Sequence, residues 1–132
     1  MSRRDTERDI VATLGQVPDF FKDLPDAQLE REWATFKEFQ LGDTALTARE
    51  KHLIGHAVAA ATHCPYCTYF HQSATKMMGT SDEQLEEARR VASETVKWST
   101  YLHGQQQDLD AFKRQTDEIG RHLGKQATKK AA

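Results

Sequence analysis

The chain has 132 residues, 38% hydrophobic and 29% charged, and its 18 Lys+Arg against 20 Asp+Glu leave a net charge of -2. That length suits one domain; no stretch approaches the roughly eighteen apolar residues of a membrane span, and the charge balance lacks the basic stripe of a nucleic-acid binder. The charged start has no apolar segment behind it, which argues against a secretory signal, so the expectation is a soluble cytoplasmic domain with no membrane and no nucleic-acid partner. A small chain this polar gains from a subunit contact that extends its core, so a homo-oligomer is expected.

Strand signals are nearly absent, and apolar residues recur at helical spacing, so the fold class is all-α. Ile10, Val11 and Leu14 mark a first helix that stops near Gly15. Val17, Phe20, Phe21 and Leu24 predict one or two helical turns beginning at Pro18. Leu29, Trp33, Phe36 and Phe39 then line a helix after Pro25, which Gly42 ends. Thr47 to Glu50 fits a capping box, which is the plain role of Glu50. The alanine-rich run from Leu53 to Ala61 predicts a helix buried at the centre. Pro65 starts the next helix with Cys64 at its N-cap, and Gly79 closes it. Ser81 to Gln84 is a second capping box. Leu85, Ala88, Ala92, Thr95, Trp98 and Leu102 line the longest helix, to Gly104. Leu109, Phe112, Thr116, Ile119 and Leu123 line the last, and Lys125 to Ala132 reads as a frayed polar tail. Trp33 and Trp98 read as core. Glu86, Glu87, Arg89 and Arg90 read as a solvated face.

The only two cysteines are Cys64 and Cys67, too few for a secreted disulfide framework and spaced for redox or metal chemistry. A helix N-terminus favours the thiolate, and thiols at this spacing close a disulfide with little movement. His71 follows Cys67 by one turn on the same face and is placed to take its proton. On the preceding helix His52 and His56 lie about 40° apart, and His63 falls about 20° from His52 if the helix stays regular. Glu50 falls about 160° from His52, on the other side.

Lys51-His52-Leu53-Ile54-Gly55, the alanines to Ala61, and then Cys64-Pro65-Tyr66-Cys67 with His71 resemble the carboxymuconolactone decarboxylase and alkylhydroperoxidase D family. Supporting matches are Val17-Pro18, Leu24-Pro25 and Trp33, then Gly79 to Glu83, Trp98-Ser99-Thr100 and Phe112. The resemblance implies a domain over residues 15–123, with a helical arm at 1–14 and a tail at 124–132. It also implies a helical assembly, a homotrimer or homohexamer, with the cysteine helix near a subunit contact. Redox members reduce hydroperoxides without a cofactor or metal. Their second cysteine attacks the peroxide and the first resolves the sulfenic acid, which makes Cys67 the peroxidatic thiol and Cys64 the resolving one. A dithiol or lipoyl-type donor then reopens the disulfide. Helix position alone favours the opposite order, because Cys64 stands nearer the N-terminus. The family's redox members place a relay glutamate twelve residues before the first cysteine; here that position is His52, with His56 a possible partner.

Two rival chemistries use the same residues. Cys64, Cys67 and His71 with one of His52, His56 or His63 are the right donor types for zinc. His52, His56 and His71 also suit a non-redox lyase of the decarboxylase kind.

Overall fold

The structure, a computed structural model, describes residues 2–131, and the elements among them are helical. α1 (Arg3–Leu14) is capped by Ser2, whose hydroxyl accepts the Asp5 N–H at 3.3 Å, and it closes on Gly15 in the left-handed region at φ +82°. α2 (Asp19–Lys22) follows Pro18, and α3 (Asp26–Thr35) follows Pro25, each proline standing where its missing N–H costs nothing. α3 runs on into a π-helical turn, Phe36–Gln40, where the Leu41 N–H reaches back to the Phe36 carbonyl at 3.2 Å. α4 (Ala48–Ala61), α5 (Pro65–Met77), α6 (Asp82–Gly104) and α7 (Leu109–Ala131) complete the chain. None of these helices is long and apolar enough to cross a membrane.

The chain divides into two compact units, one through Ala92 and one from Ser93. In the first, Ile10, Phe21, Leu29 and Trp33 form the apolar core. Trp33 meets Phe21 edge-on, and its ring N–H donates to Asp9 at 2.7 Å, so its one polar atom is satisfied. Lys37 also binds Asp9, and together with Trp33 it holds that carboxyl below its ordinary range. Leu29 has no exposed surface. Leu29→Ala is expected to cost about 2–5 kcal/mol, from lost transfer energy and the cavity left behind, read as a lower denaturant midpoint at unchanged slope.

Both capping boxes form. The Thr47 N–H donates to Glu50 Oε2 at 2.7 Å and the Glu50 N–H to Thr47 Oγ1 at 3.2 Å. Ser81 and Gln84 exchange the equivalent pair at 3.0 and 3.1 Å. Glu50 is therefore committed to the cap.

α4 departs from expectation. Its buried face carries Lys51, His52 and His56 beside Ala48 and Ala59, while Ile54 and Val58 are 52% and 55% exposed. The helix is therefore not buried all round; it turns its imidazoles inward against α5 and leaves an apolar stripe outside. Lys51 is held by donating to the Phe39 and Gly42 carbonyls at 2.7 and 2.8 Å, a cation placed at the C-terminal end of the π turn.

In the second unit, α7 buries none of its described residues. Trp98 is not core: its ring meets Tyr101 on its own helix and stays half exposed. It shares the stripe spacing of Trp33, but its ring partner comes from its own helix rather than from another element, as Phe21 does for Trp33. The segment from Lys125 is not frayed, because α7 stays helical through Ala131, in keeping with its run of Lys, Gln and Ala.

Candidate active site

The site is built where α4 packs on α5. Cys64 is the N-cap of α5, and its sulfur accepts the Cys67 N–H at 3.2 Å, with Pro65 in the first turn. Both cysteines are free thiols, Cys64 half-buried and Cys67 exposed. The Cys67 thiol donates to Cys64, and together with the backbone N–H groups of Cys67 and Tyr66 it pulls the Cys64 pKa down. The same contact pushes Cys67 up, since ionising it would place a second negative charge beside the first. Of the reduced pair, Cys64 is therefore the more acidic thiol.

The histidines sort into two groups. His52 and His71 meet Nδ1 to Nδ1 at 2.9 Å, so one ring donates and the other accepts, and the two share a proton. Burial lowers both pKa values, and for His71 the charges that His52 and His56 can carry lower it further. The Gln40 carbonyl opposes this at His52, although His52 Nε2 makes no hydrogen bond. Both rings therefore stay neutral, and able to accept a proton, below the usual histidine range. Gly55 makes the approach possible: a Cβ there would lie 2.6 to 2.7 Å from three ring atoms of His71.

His56 belongs to a different cluster. It is fully buried, and its Nε2 accepts from Arg89 Nε at 3.2 Å while its Nδ1 has no partner. Arg89 is thus not part of a purely solvated face; it also donates to Gln72 at 3.1 Å and to Glu86 at 3.2 Å. Neither Arg89 nor Gln72 was visible as a site residue in the sequence, since their partners lie on other helices. His63 leaves the expected stripe because α4 ends at Ala61 and the chain turns through His63 at φ +57°.

A cleft of about 340 Å³ opens between the π turn, α4 and α5. Phe39, Leu46, Ile54 and Val58 give it apolar walls, and Cys67 and His71 stand together on its lining. Cys64 lines a separate hollow beside His63 and Tyr69. Cys67 and His71 thus share a ligand-sized apolar space, with His52 behind His71. The zinc arrangement is not formed: among the described residues no three or more His, Cys, Asp or Glu side chains gather closely enough to hold a metal.

The comparisons agree with this architecture. Residues 26–105 match the carboxymuconolactone decarboxylase family. The chain is 35% identical over 92 residues to "Uncharacterized protein 4 in cox locus" of Paracoccus denitrificans, covering 70% of this chain and 78% of that one. In fold it is similar to the alkylhydroperoxidase AhpD core from Rhodospirillum rubrum, with a TM-score of 0.71 and 26% identity over 83% of this chain and 85% of that one. An all-helical chain of this fold, carrying its cysteine pair at a helix N-terminus, belongs to the carboxymuconolactone decarboxylase family.

Proposed function

We propose that this protein is a thiol-dependent peroxidase of the alkylhydroperoxidase kind that cycles Cys64 and Cys67 between dithiol and disulfide. The observation that carries the reading is the shared cleft: Cys67 and His71 line one apolar space, and His71 is bonded to His52 behind it. The His71–His52 pair takes the proton of Cys67. Sγ of Cys67 attacks the terminal oxygen of ROOH; the O–O bond breaks, ROH leaves with that proton, and Cys67 becomes a sulfenic acid. The Cys64 thiol then attacks Sγ of Cys67; the S–O bond breaks, the hydroxyl leaves as water with the Cys64 proton, and the disulfide closes. A dithiol or lipoyl-type donor supplies two electrons: its thiolate attacks Sγ of Cys67, Cys64 leaves, and the donor ends as its own disulfide.

The lowered pKa of Cys64 suits this order, because in exchange the more acidic thiol is the better leaving group. His52 takes the place of the glutamate found in the family's redox members. The outward apolar residues of α4 and α7 suit an assembly of copies, a homotrimer or homohexamer.

The test is a free-thiol count on reduced protein before and after one equivalent of an organic hydroperoxide. Loss of both thiols per chain, recovered by a dithiol, is expected; unchanged thiols with the hydroperoxide intact would end the reading.

A further inference from the structure

The geometry points to Arg89 as a positioning residue of this site: its guanidinium holds the His56 ring in one tautomer and ties α4 to α5 beside His71. A guanidinium carries donors only, so His56 Nε2, at 3.2 Å from Arg89 Nε, must be the unprotonated acceptor and the ring proton sits on Nδ1. That proton is buried without an acceptor, a cost that an ordinary core histidine avoids. The second arm of Arg89 reaches Gln72 Oε1 at 3.1 Å. Gln72 follows His71 on α5, and His56 follows Gly55, whose missing side chain makes room for the His71 ring. One cation thus grips the residue after His71 and the residue after its seat. From α6, Arg89 bridges α4 through His56 and α5 through Gln72.

The effect on rate rests on the peroxidase reading; the tautomer of His56 does not. The experiment is a spectrum of the reduced full chain with ¹⁵N-labelled histidine, the His56 signal being assigned by its loss in His56→Gln, together with steady-state turnover of an organic hydroperoxide. In the wild type His56 is expected to be protonated on Nδ1 alone. Arg89→Met is expected to release that tautomer and to lower kcat by about ten- to a hundredfold with KM little changed, the size of effect that a misplaced catalytic group produces. Arg89→Lys keeps the charge but replaces two separated donor nitrogens, Nε to His56 and Nη2 to Gln72, by a single ammonium, so it should restore thermal stability without restoring kcat. Arg90→Met, one residue on, should leave both readouts at wild-type values.

A wild-type His56 protonated on Nε2 would overturn the inference, as would a folded Arg89→Met with unaltered tautomer and kcat, or Arg89→Lys at full activity. If wild type turns over no hydroperoxide, the peroxidase reading fails by itself, and the His56 spectrum still decides the role of Arg89.

Discussion

Replacing Cys67 with serine is expected to reduce hydroperoxide consumption to background, whereas Cys64→Ser should still consume one equivalent and stop. The asymmetry follows from where the sulfurs stand. Only Cys67 shares the apolar cleft with His71, so only its loss removes the atom that meets the peroxide. Without Cys64 the first O–O cleavage proceeds, but nothing resolves the sulfenic acid, which should accumulate and be trapped by a 1,3-dicarbonyl reagent on Cys67. Acidity runs the other way and supplies a second readout. Cys64 is the lower-pKa thiol because Cys67 and the α5 N–H groups donate to it, so mild alkylation of the reduced wild type as pH rises should label Cys64 first. Cys67 is held up chiefly by its hydrogen bond to the neighbouring sulfur; in Cys64→Ser that sulfur is gone, the Cys67 pKa is expected to fall, and its alkylation at a fixed pH should speed up. Peptide mapping by mass reads both effects. A Cys67→Ser protein that forms one equivalent of trapped sulfenic acid on Cys64 would reverse the two roles.

Much of the fold was legible because its signals are local. Thr47 with Glu50, Ser81 with Gln84, Cys64 before Pro65, and Gly15 after Leu14 each specify a helix end within a few residues, and each forms. His52 and His71 were each singled out, one twelve residues before Cys64 and the other one turn after Cys67, but the partner expected for His52 was His56, and the structure pairs it with His71 instead. What stayed hidden depends on distant partners. Arg89 sits among alternating charges that any exposed helix carries, and its meaning comes from His56 and Gln72, 33 and 17 residues away. Trp33 and Trp98 share a helical pattern, yet only Trp33 finds a ring and a carboxylate across from it. The run from Leu53 to Ala61 failed in a more instructive way. It read as buried at the centre, yet the fold leaves Ile54 and Val58 half exposed and buries His52 and His56 fully. Burying His52 and His56 costs desolvation that a scaffold helix would avoid, and such conflicts between local preference and tertiary placement concentrate at functional sites.

Gly55→Ala is expected to separate stability from chemistry. Within α4 alanine is favoured over glycine by about 1 kcal/mol, so the helix itself gains. The added methyl would stand 2.6 to 2.7 Å from Cε1, Nδ1 and Nε2 of His71, too close for any of them. Of the two, the ring gives way, because the backbone of α4 is fixed by its own hydrogen bonds on both sides. Its departure breaks the His52–His71 bond, worth about 0.5–1.5 kcal/mol net, which offsets the helical gain. The melting temperature should therefore stay near that of the wild type while turnover falls by about 10²-fold or more, the usual contribution of a positioned acid–base group. The pH profile should move as well. In the native site burial lowers the His71 pKa, so the ring remains a competent base below the ordinary histidine range. Pushed toward solvent it regains hydration, its pKa rises, and it becomes protonated at higher pH. The acid limb of kcat/KM should then shift upward, in the direction opposite to that expected from deeper burial. Full activity in a folded Gly55→Ala protein, with an unmoved acid limb, would take His71 out of the proton path and leave the two sulfurs to react without it.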